Sequence, residues 1–294
     1  MPTLDQFIDH GALTALIERA RDEDLGPAGC DVTSQVMEST DRPVHAEIRS
    51  RHNGVLAGGV LLDKVIEVFE ATVSLSLLVE DGKPLNSGSV IAQLSGQLQA
   101  ILKLERTALN LISHLSGIST LTARFVEAVK GTSAVICDTR KTIVGLRGLS
   151  KYAVACGGGV NHRFGLFDAV LIKDNHIAGT PLENLTQVLT RAITKARAVQ
   201  PPPAFVEVEV DTLAQLQRVL PCAADIILLD NMPLRQLQEA VAIRNAESPQ
   251  VQLEASGGVT LENVCGIAQA GVDRIAIGQI THSAMALDMG LDLV

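Results

Sequence analysis

In CGGGVNHRFGLFDAVLIKDNH, residues 156–176, the bases His162, Arg163, Lys173 and His176 surround a glycine run and one short apolar strand. Just upstream, CDTRK adds Arg140 and Lys141. Guanidinium forks bind carboxylate and phosphate bidentately and ammonium groups add point charges, so this set suits ligands that carry more than one anionic group. From Asp138 to His176 six Lys or Arg stand against three Asp, which is +3; the rest of the chain, with 18 bases and 30 acids, is −12. A positive region inside an acidic protein attracts small anions, although a solvated basic face has the same charge pattern.

Carboxylates follow in strand-like contexts. Alternation in VEVEV puts Glu207 and Glu209 on one face, so both enter one pocket unless a bulge splits them, and LLD ends in Asp230. A charge among apolar groups is costly unless paired or ligand-bound. Lys173 and Glu209 therefore imply either a polar pocket or a structural ion pair between Lys173 and a glutamate. Ser256-Gly257-Gly258, and Gly278 before Thr-His-Ser, offer backbone N–H groups for a phosphate, though turns also use glycine for purely conformational reasons. CGGGVNHR lacks the Gly-Lys-Ser/Thr ending of a P-loop. A Schiff base on Lys173 is the rival chemistry, and the surplus of further cations argues against it. Asp174 and His176 either orient Lys173 or turn the chain.

These residues need a scaffold, and the second half of the chain supplies a repeating one. The short β-rich runs AVIC, DAVLI, FVEVEV, DIILL, VQLEA and DRIAI alternate with segments of apolar period near 3.6, and from Glu209 the polar ends recur after 21, 26 and 22 residues. Thr180-Pro181, Asp211, Pro233 and Thr260 open the helical segments. Strands apolar on both faces, linked through helices, are parallel and buried, which predicts a closed or nearly closed α/β barrel with its site at the strand carboxyl ends. Asp138, Lys173, Glu209, Asp230, Ser256 and Gly278 fall at those ends. The first hundred residues read instead as an α+β domain, and a helix from about Ala100 to Lys130 joins the halves. On that helix Arg106, Asn110 and His114 share one face.

The totals set limits. A chain of 294 residues, 47% hydrophobic, can bury the core of one large or two moderate domains. No Trp, one Tyr and a net charge of −9 argue against nucleic acid as a partner. No apolar run reaches membrane-spanning length, and the first 20 residues read as an amphipathic helix rather than a signal peptide. Five scattered cysteines fit a reducing cytoplasm.

ERTALNLISHLSGIST, CDTRKTIVGLR, KYAVACGGGVNHRFGLFDAVLIKDNHI, VEVEV, LLDNM, EASGGV and GVDRIAIGQITHSA occur in the order and spacing of the quinolinate phosphoribosyltransferases, and DEDLGPAGCDVTS resembles that family's opening motif. The resemblance covers nearly the whole chain. It implies transfer of phosphoribosyl from phosphoribosyl pyrophosphate to quinolinate with decarboxylation, as a step of de novo NAD synthesis, with Mg2+ as cofactor. It implies an N-terminal α/β sandwich domain over residues 1–113, joined by a C-terminal tail 281–294, and an incompletely closed α/β barrel over residues 114–280. By motif, Arg140, His162, Arg163 and Lys173 hold the quinolinate carboxylates, joined by Arg106 from a neighbouring subunit of a dimer or hexamer. Lys141 contacts phosphoribosyl pyrophosphate, Glu209 and Asp230 its ribose hydroxyls and metal, and Ser256, Gly257, Gly258 and Gly278 its phosphate. Ile143-Val144 stands where the family commonly has Thr-Pro, which implies a more mobile loop, and Gln279 replaces a small residue. The molybdenum-associated paralogue of the same plan and a catalytically silent phosphometabolite sensor are the alternatives; the intact LIKDNH and NHR motifs favour the quinolinate enzyme over the paralogue.

Overall fold

The computed structural model describes residues 2–37 and 42–294. The chain forms two compact units, one of residues 1–123, 143–158 and 280–294, the other of residues 124–142 and 159–279. The division expected at residue 113 falls inside the helix Leu98–Ala128, and the helix Arg147–Cys156 groups with the first unit.

The first unit is built on an antiparallel sheet. Its strands are β1 (Pro43–Ser50), β2 (Gly54–Val55), β3 (Val73–Leu77), β4 (Pro84–Leu85), β5 (Val90–Gln97) and, from the chain's end, β12 (Met289–Leu293). The four-stranded order is β12-β1-β5-β3, with Ala46 facing Leu94 on one side and Leu293 on the other. The helix His10–Leu25 starts where the Asp9 carboxylate accepts the Ala12 N–H at 2.8 Å, the favoured N-cap chemistry. Only Leu13 and Ile17 of that helix are buried, as an amphipathic helix requires. A polar lock crosses the unit: buried Asp81 accepts the Gly58 and Gly59 N–H groups, both at 2.8 Å, and the Tyr152 hydroxyl at 2.7 Å.

The second unit holds the parallel sheet. Its strands are β6 (Val135–Cys137), β7 (Val170–Ile172), β8 (Val206–Val210), β9 (Ile226–Asp230), β10 (Gln252–Ser256) and β11 (Arg274–Ala276), in the order β6-β11-β10-β9-β8-β7. All five residues of β8 and the first four of β9 are buried, because helices such as Leu185–Arg197 and Leu234–Glu247 cross over between parallel strands. An isolated parallel bridge from Cys137 to Val160 extends the sheet beyond β6. No pairing joins that edge to β7 among the described residues, so the sheet runs through six strands without hydrogen-bonded closure. The register levels the strand ends: Asp230 faces Ser256, and Ser256 faces Ala276, which faces Cys137. Side chains one or two residues past these positions therefore open onto the same end of the sheet.

Candidate active site

A cavity of about 470 Å3 opens at that end, lined among others by Arg140, Lys141, Arg163, Lys173, Glu209 and Asp230. His162, Glu254, Ser256, Gly257 and Gly258 also line it. Of the bases predicted from the sequence stretch, Arg140, Lys141, His162, Arg163 and Lys173 thus converge, whereas His176 does not line the cavity. Gly278, just beyond β11, does not line the cavity; that strand contributes Ala276. Arg106 lines a separate depression of about 380 Å3 within the first unit, beside Asn110, His114, Glu23 and Asp24.

Loop chemistry explains how the NHR segment is held. Buried Asp138, directly after β6, accepts the His162 N–H and the Asn161 side-chain amide, each at 2.7 Å. Asp168 closes the following loop by accepting the Phe164 and Gly165 N–H groups at 2.7 and 2.8 Å. Residues 162–168 are thereby fixed at both ends, and Arg163 is 92% buried, being 8% exposed. Its Nη1 donates to the Ala169 carbonyl at 3.2 Å, whereas its Nε and the Arg140 Nε are buried without partners. Burial first, and then the charge of Arg140, push the Arg163 guanidinium below its usual range. Two like charges in a desolvated site call for an anion between or beside them.

Lys173 directly follows β7 and donates through Nζ to Glu209 Oε2 at 2.6 Å, so the ion pair foreseen as one reading is formed, and it is formed at the cavity wall. The Schiff-base chemistry finds no support in this arrangement, since the amine is engaged by a carboxylate. His176 turns the chain: its Nδ1 accepts the Lys173 N–H at 2.8 Å. Asp174 is exposed and starts the short helix that follows.

The glycine turn after β10 is shaped by two asparagines that the sequence reading passed over. Asn231 stands at φ 52°, its N–H bonds the Ser256 carbonyl at 2.8 Å, and its side chain donates to Asp230 Oδ2 at 2.7 Å. Gly257, at φ +94°, lies so close that a Cβ would meet the Asn231 amide oxygen. Asn263 then donates to the Gly258 carbonyl at 2.9 Å and accepts the Thr260 N–H at 2.8 Å. An Asn directly after a strand-end Asp, followed by a Gly pair one βα unit later, was the available signal.

His162 departs from expectation. Its Nε2 points inward to Glu207 Oε2 at 2.7 Å and lies 3.5 Å from Glu254 Oε1, while Nδ1 accepts the Arg163 N–H at 2.7 Å. Burial disfavours the imidazolium; the hydrogen bond and charge of Glu207, with the charge of Glu254, outweigh it and raise the pKa. Protonation would nevertheless cost the Arg163 N–H its acceptor, and this direct geometry is the stronger constraint. Glu254 is pushed up to about 7 by its burial and by the Glu207 charge.

The fold and the cavity define an α/β protein with a cation-lined pocket, of a kind suited to polyanions, at the carboxyl ends of a parallel sheet. The models of the quinolinate phosphoribosyl transferase C-terminal and N-terminal domains match residues 118–292 and 31–116. A nicotinate-nucleotide pyrophosphorylase (carboxylating) of Mycobacterium leprae is 46% identical over 283 residues, 94% of this chain and 95% of that one. The solved nicotinate-nucleotide pyrophosphorylase of Francisella tularensis superposes with a TM-score of 0.88 at 36% identity, covering 98% of each chain. That of Ehrlichia chaffeensis gives 0.86 at 37%, covering 98% of this chain and 99% of that one. The chain belongs to the quinolinate phosphoribosyl transferase family.

Proposed function

We propose that this protein transfers the phosphoribosyl group of phosphoribosyl pyrophosphate to quinolinate with loss of CO2, forming nicotinate mononucleotide and pyrophosphate in de novo NAD synthesis. The observation that carries this reading is the Arg140–Arg163 pair, two cations in a desolvated cavity, each with a buried Nε lacking a partner. A planar 1,2-dicarboxylate supplies the two anionic groups such a pair needs.

Arg140, Arg163 and Lys173 hold the quinolinate carboxylates, and Lys141, Ser256, Gly257 and Gly258 face the phosphates. Pyrophosphate departs with the electrons of the anomeric C–O bond, positive charge develops on the ribose, and the pyridine nitrogen attacks the anomeric carbon. Glu209 and Asp230 bind the ribose hydroxyls and stabilise that charge. The resulting pyridinium accepts the electrons of the adjacent C–CO2 bond, and a solvent proton replaces the carboxylate. No protein nucleophile is required, so the chain's contribution is orientation and electrostatics. Glu209 and Asp230 also fit Mg2+: they are hard oxygen donors lining one cavity, too few for a full coordination shell, which leaves positions for substrate oxygens. Held by these two carboxylates, Mg2+ would supply charge neutralisation for the leaving pyrophosphate.

Arg106 completes the site from a second copy of the chain in a dimer or larger assembly. The odd, scattered cysteines support a cytoplasmic setting, and among the described residues no helix is long and apolar enough to cross a membrane. The test is release of radiolabelled CO2 from carboxyl-labelled quinolinate by purified protein. Release that requires both phosphoribosyl pyrophosphate and Mg2+ is expected; a folded protein that binds phosphoribosyl pyrophosphate and releases none is the silent sensor or the paralogue instead.

A further inference from the structure

From the cavity wall at His162 and Glu254 a buried charge cluster extends into the sheet, and the proposed chemistry gives it no role. Glu207 on β8 and Glu254 on β10 are both fully buried. Arg274 on β11 faces Glu254 in register, and its Nε donates to Glu254 Oε2 at 2.8 Å. Glu207 turns Oε2 to His162 Nε2, and the remaining Oε1 atoms of both glutamates have no hydrogen-bond partner, that of Glu254 lying 3.5 Å from His162 Nε2. Two carboxyls crowded in a dry site cannot both be ionised cheaply. With Arg274 engaged by Glu254, Glu207 Oε2 is the acceptor that stands 2.7 Å from His162 Nε2.

The imidazole is constrained on every side. Its edge meets the Phe205 ring at a centroid distance of 5.5 Å and an angle of 85°, its backbone N–H is held by Asp138, and its Nδ1 takes the Arg163 N–H. Accepting that N–H requires an unprotonated Nδ1. Both ring nitrogens are therefore used within the protein, and neither is left to donate to a carboxylate in the cavity.

We infer that Glu207, backed by Glu254 and Arg274, holds His162 as a neutral imidazole protonated on Nε2, and that this ring positions the Arg163 backbone, aiming the Arg163–Arg140 pair rather than binding substrate itself. The inference rests on the reading of that pair as the dicarboxylate site. Glu207, Glu254 and Arg274 are positioning residues for it, and of the three only Glu254 lines the cavity. A metal ion among His162, Glu207 and Glu254, whose ligand atoms lie within 4.8 Å of one another, is opposed by the Arg274 charge on Glu254 and by the hydrogen bond already made by Nε2.

The decisive measurement is the nitrogen-15 spectrum of the histidine side chains in the full chain, assigned by loss of the His162 signals in His162→Gln. His162 should show a protonated Nε2 and a bare Nδ1, unchanged when the unreactive analogue benzene-1,2-dicarboxylate saturates the site. An imidazolium, the opposite tautomer, or a change of protonation on adding the dicarboxylate overturns the inference. In kinetics, Glu207→Leu should raise the KM for quinolinate at least about tenfold with that for phosphoribosyl pyrophosphate unchanged, and Glu207→Gln, which keeps an acceptor oxygen, should recover most of the loss. Equal KM values in Glu207→Leu and the unmodified protein also overturn it. The spectrum of the free protein reads the network without any turnover, so a protein that releases no CO2 yet keeps this tautomer refutes the reaction and not the network.

Discussion

Arg140 and Arg163 share a site in which the Arg140 charge adds to the cost of charging Arg163, and a lysine cannot replace either fork. Arg163→Lys keeps the charge but loses the planar fork and the Nη1 bond to Ala169, so kcat/KM for quinolinate should fall about 10- to 100-fold, the equivalent of one or two charged hydrogen bonds. Steady-state kinetics with each substrate varied in turn checks this, and a loss confined to phosphoribosyl pyrophosphate would assign Arg163 to the other ligand. Glu254 carries a pH dependence whose sign follows from its raised pKa. Its carboxyl is neutral in both states below the unfolded value of 4.5; as pH rises from there the unfolded state ionises while the buried carboxyl stays protonated, so stability falls until about pH 7, where the folded state ionises too. Relative to Glu254→Gln, the native protein should lose on the order of 3 kcal/mol between about pH 4.5 and pH 7, measured by denaturant unfolding at several pH values. A difference independent of pH would mean that the carboxyl titrates normally.

At the scale of elements, turns and caps decide how accurately the site is set. The Ile143-Val144 departure forms a closed turn in which the Leu146 N–H bonds the Ile143 carbonyl at 3.1 Å and Gly145 stands at φ +84°. That is a type II turn, whose second position favours proline, and Val144 is 98% exposed there. Val144→Pro should therefore stabilise the protein by about 0.4–1 kcal/mol without changing the reaction, which thermal unfolding and the CO2 assay together test. Gly257→Ala should do the opposite, because a Cβ at φ +94° collides with the Asn231 amide. Its expected cost is about 1–3 kcal/mol, with weaker phosphoribosyl pyrophosphate binding, and a silent substitution would show that the Asn231 turn has room to shift. Helix starts were less legible: Asp211 was the expected cap after β8, but Thr212 forms the capping box, its side chain accepting the Gln215 N–H while the Gln215 oxygen accepts the Thr212 N–H. Two adjacent residues with cap chemistry cannot be told apart until the backbone picks one.

At the scale of the molecule, the question is whether one chain makes a whole site. With Arg106 supplied by a partner, Arg106→Ala and Lys173→Ala homomers should each be inactive, while mixing them after mild dissociation should restore up to about a quarter of the activity by statistical assortment. No recovery on mixing, with subunit exchange shown by mass spectrometry, would place Arg106 outside the partner's site.

The sequence alone was enough for the parallel α/β plan, the strands that carry the site, and the convergence of Arg140, Lys141, Arg163, Lys173, Glu209 and Asp230, because periodicity and strand-end polarity are local and repeat along the chain. Only the tertiary structure decided which way His162 faces, that Gly278 stays off the cavity wall, that Asn231 and Asn263 shape the glycine turn, and that Glu207, Glu254 and Arg274 meet. Those outcomes depend on register between strands far apart in sequence, and a hydrogen bond across 45 residues, as from His162 to Glu207, leaves no local trace.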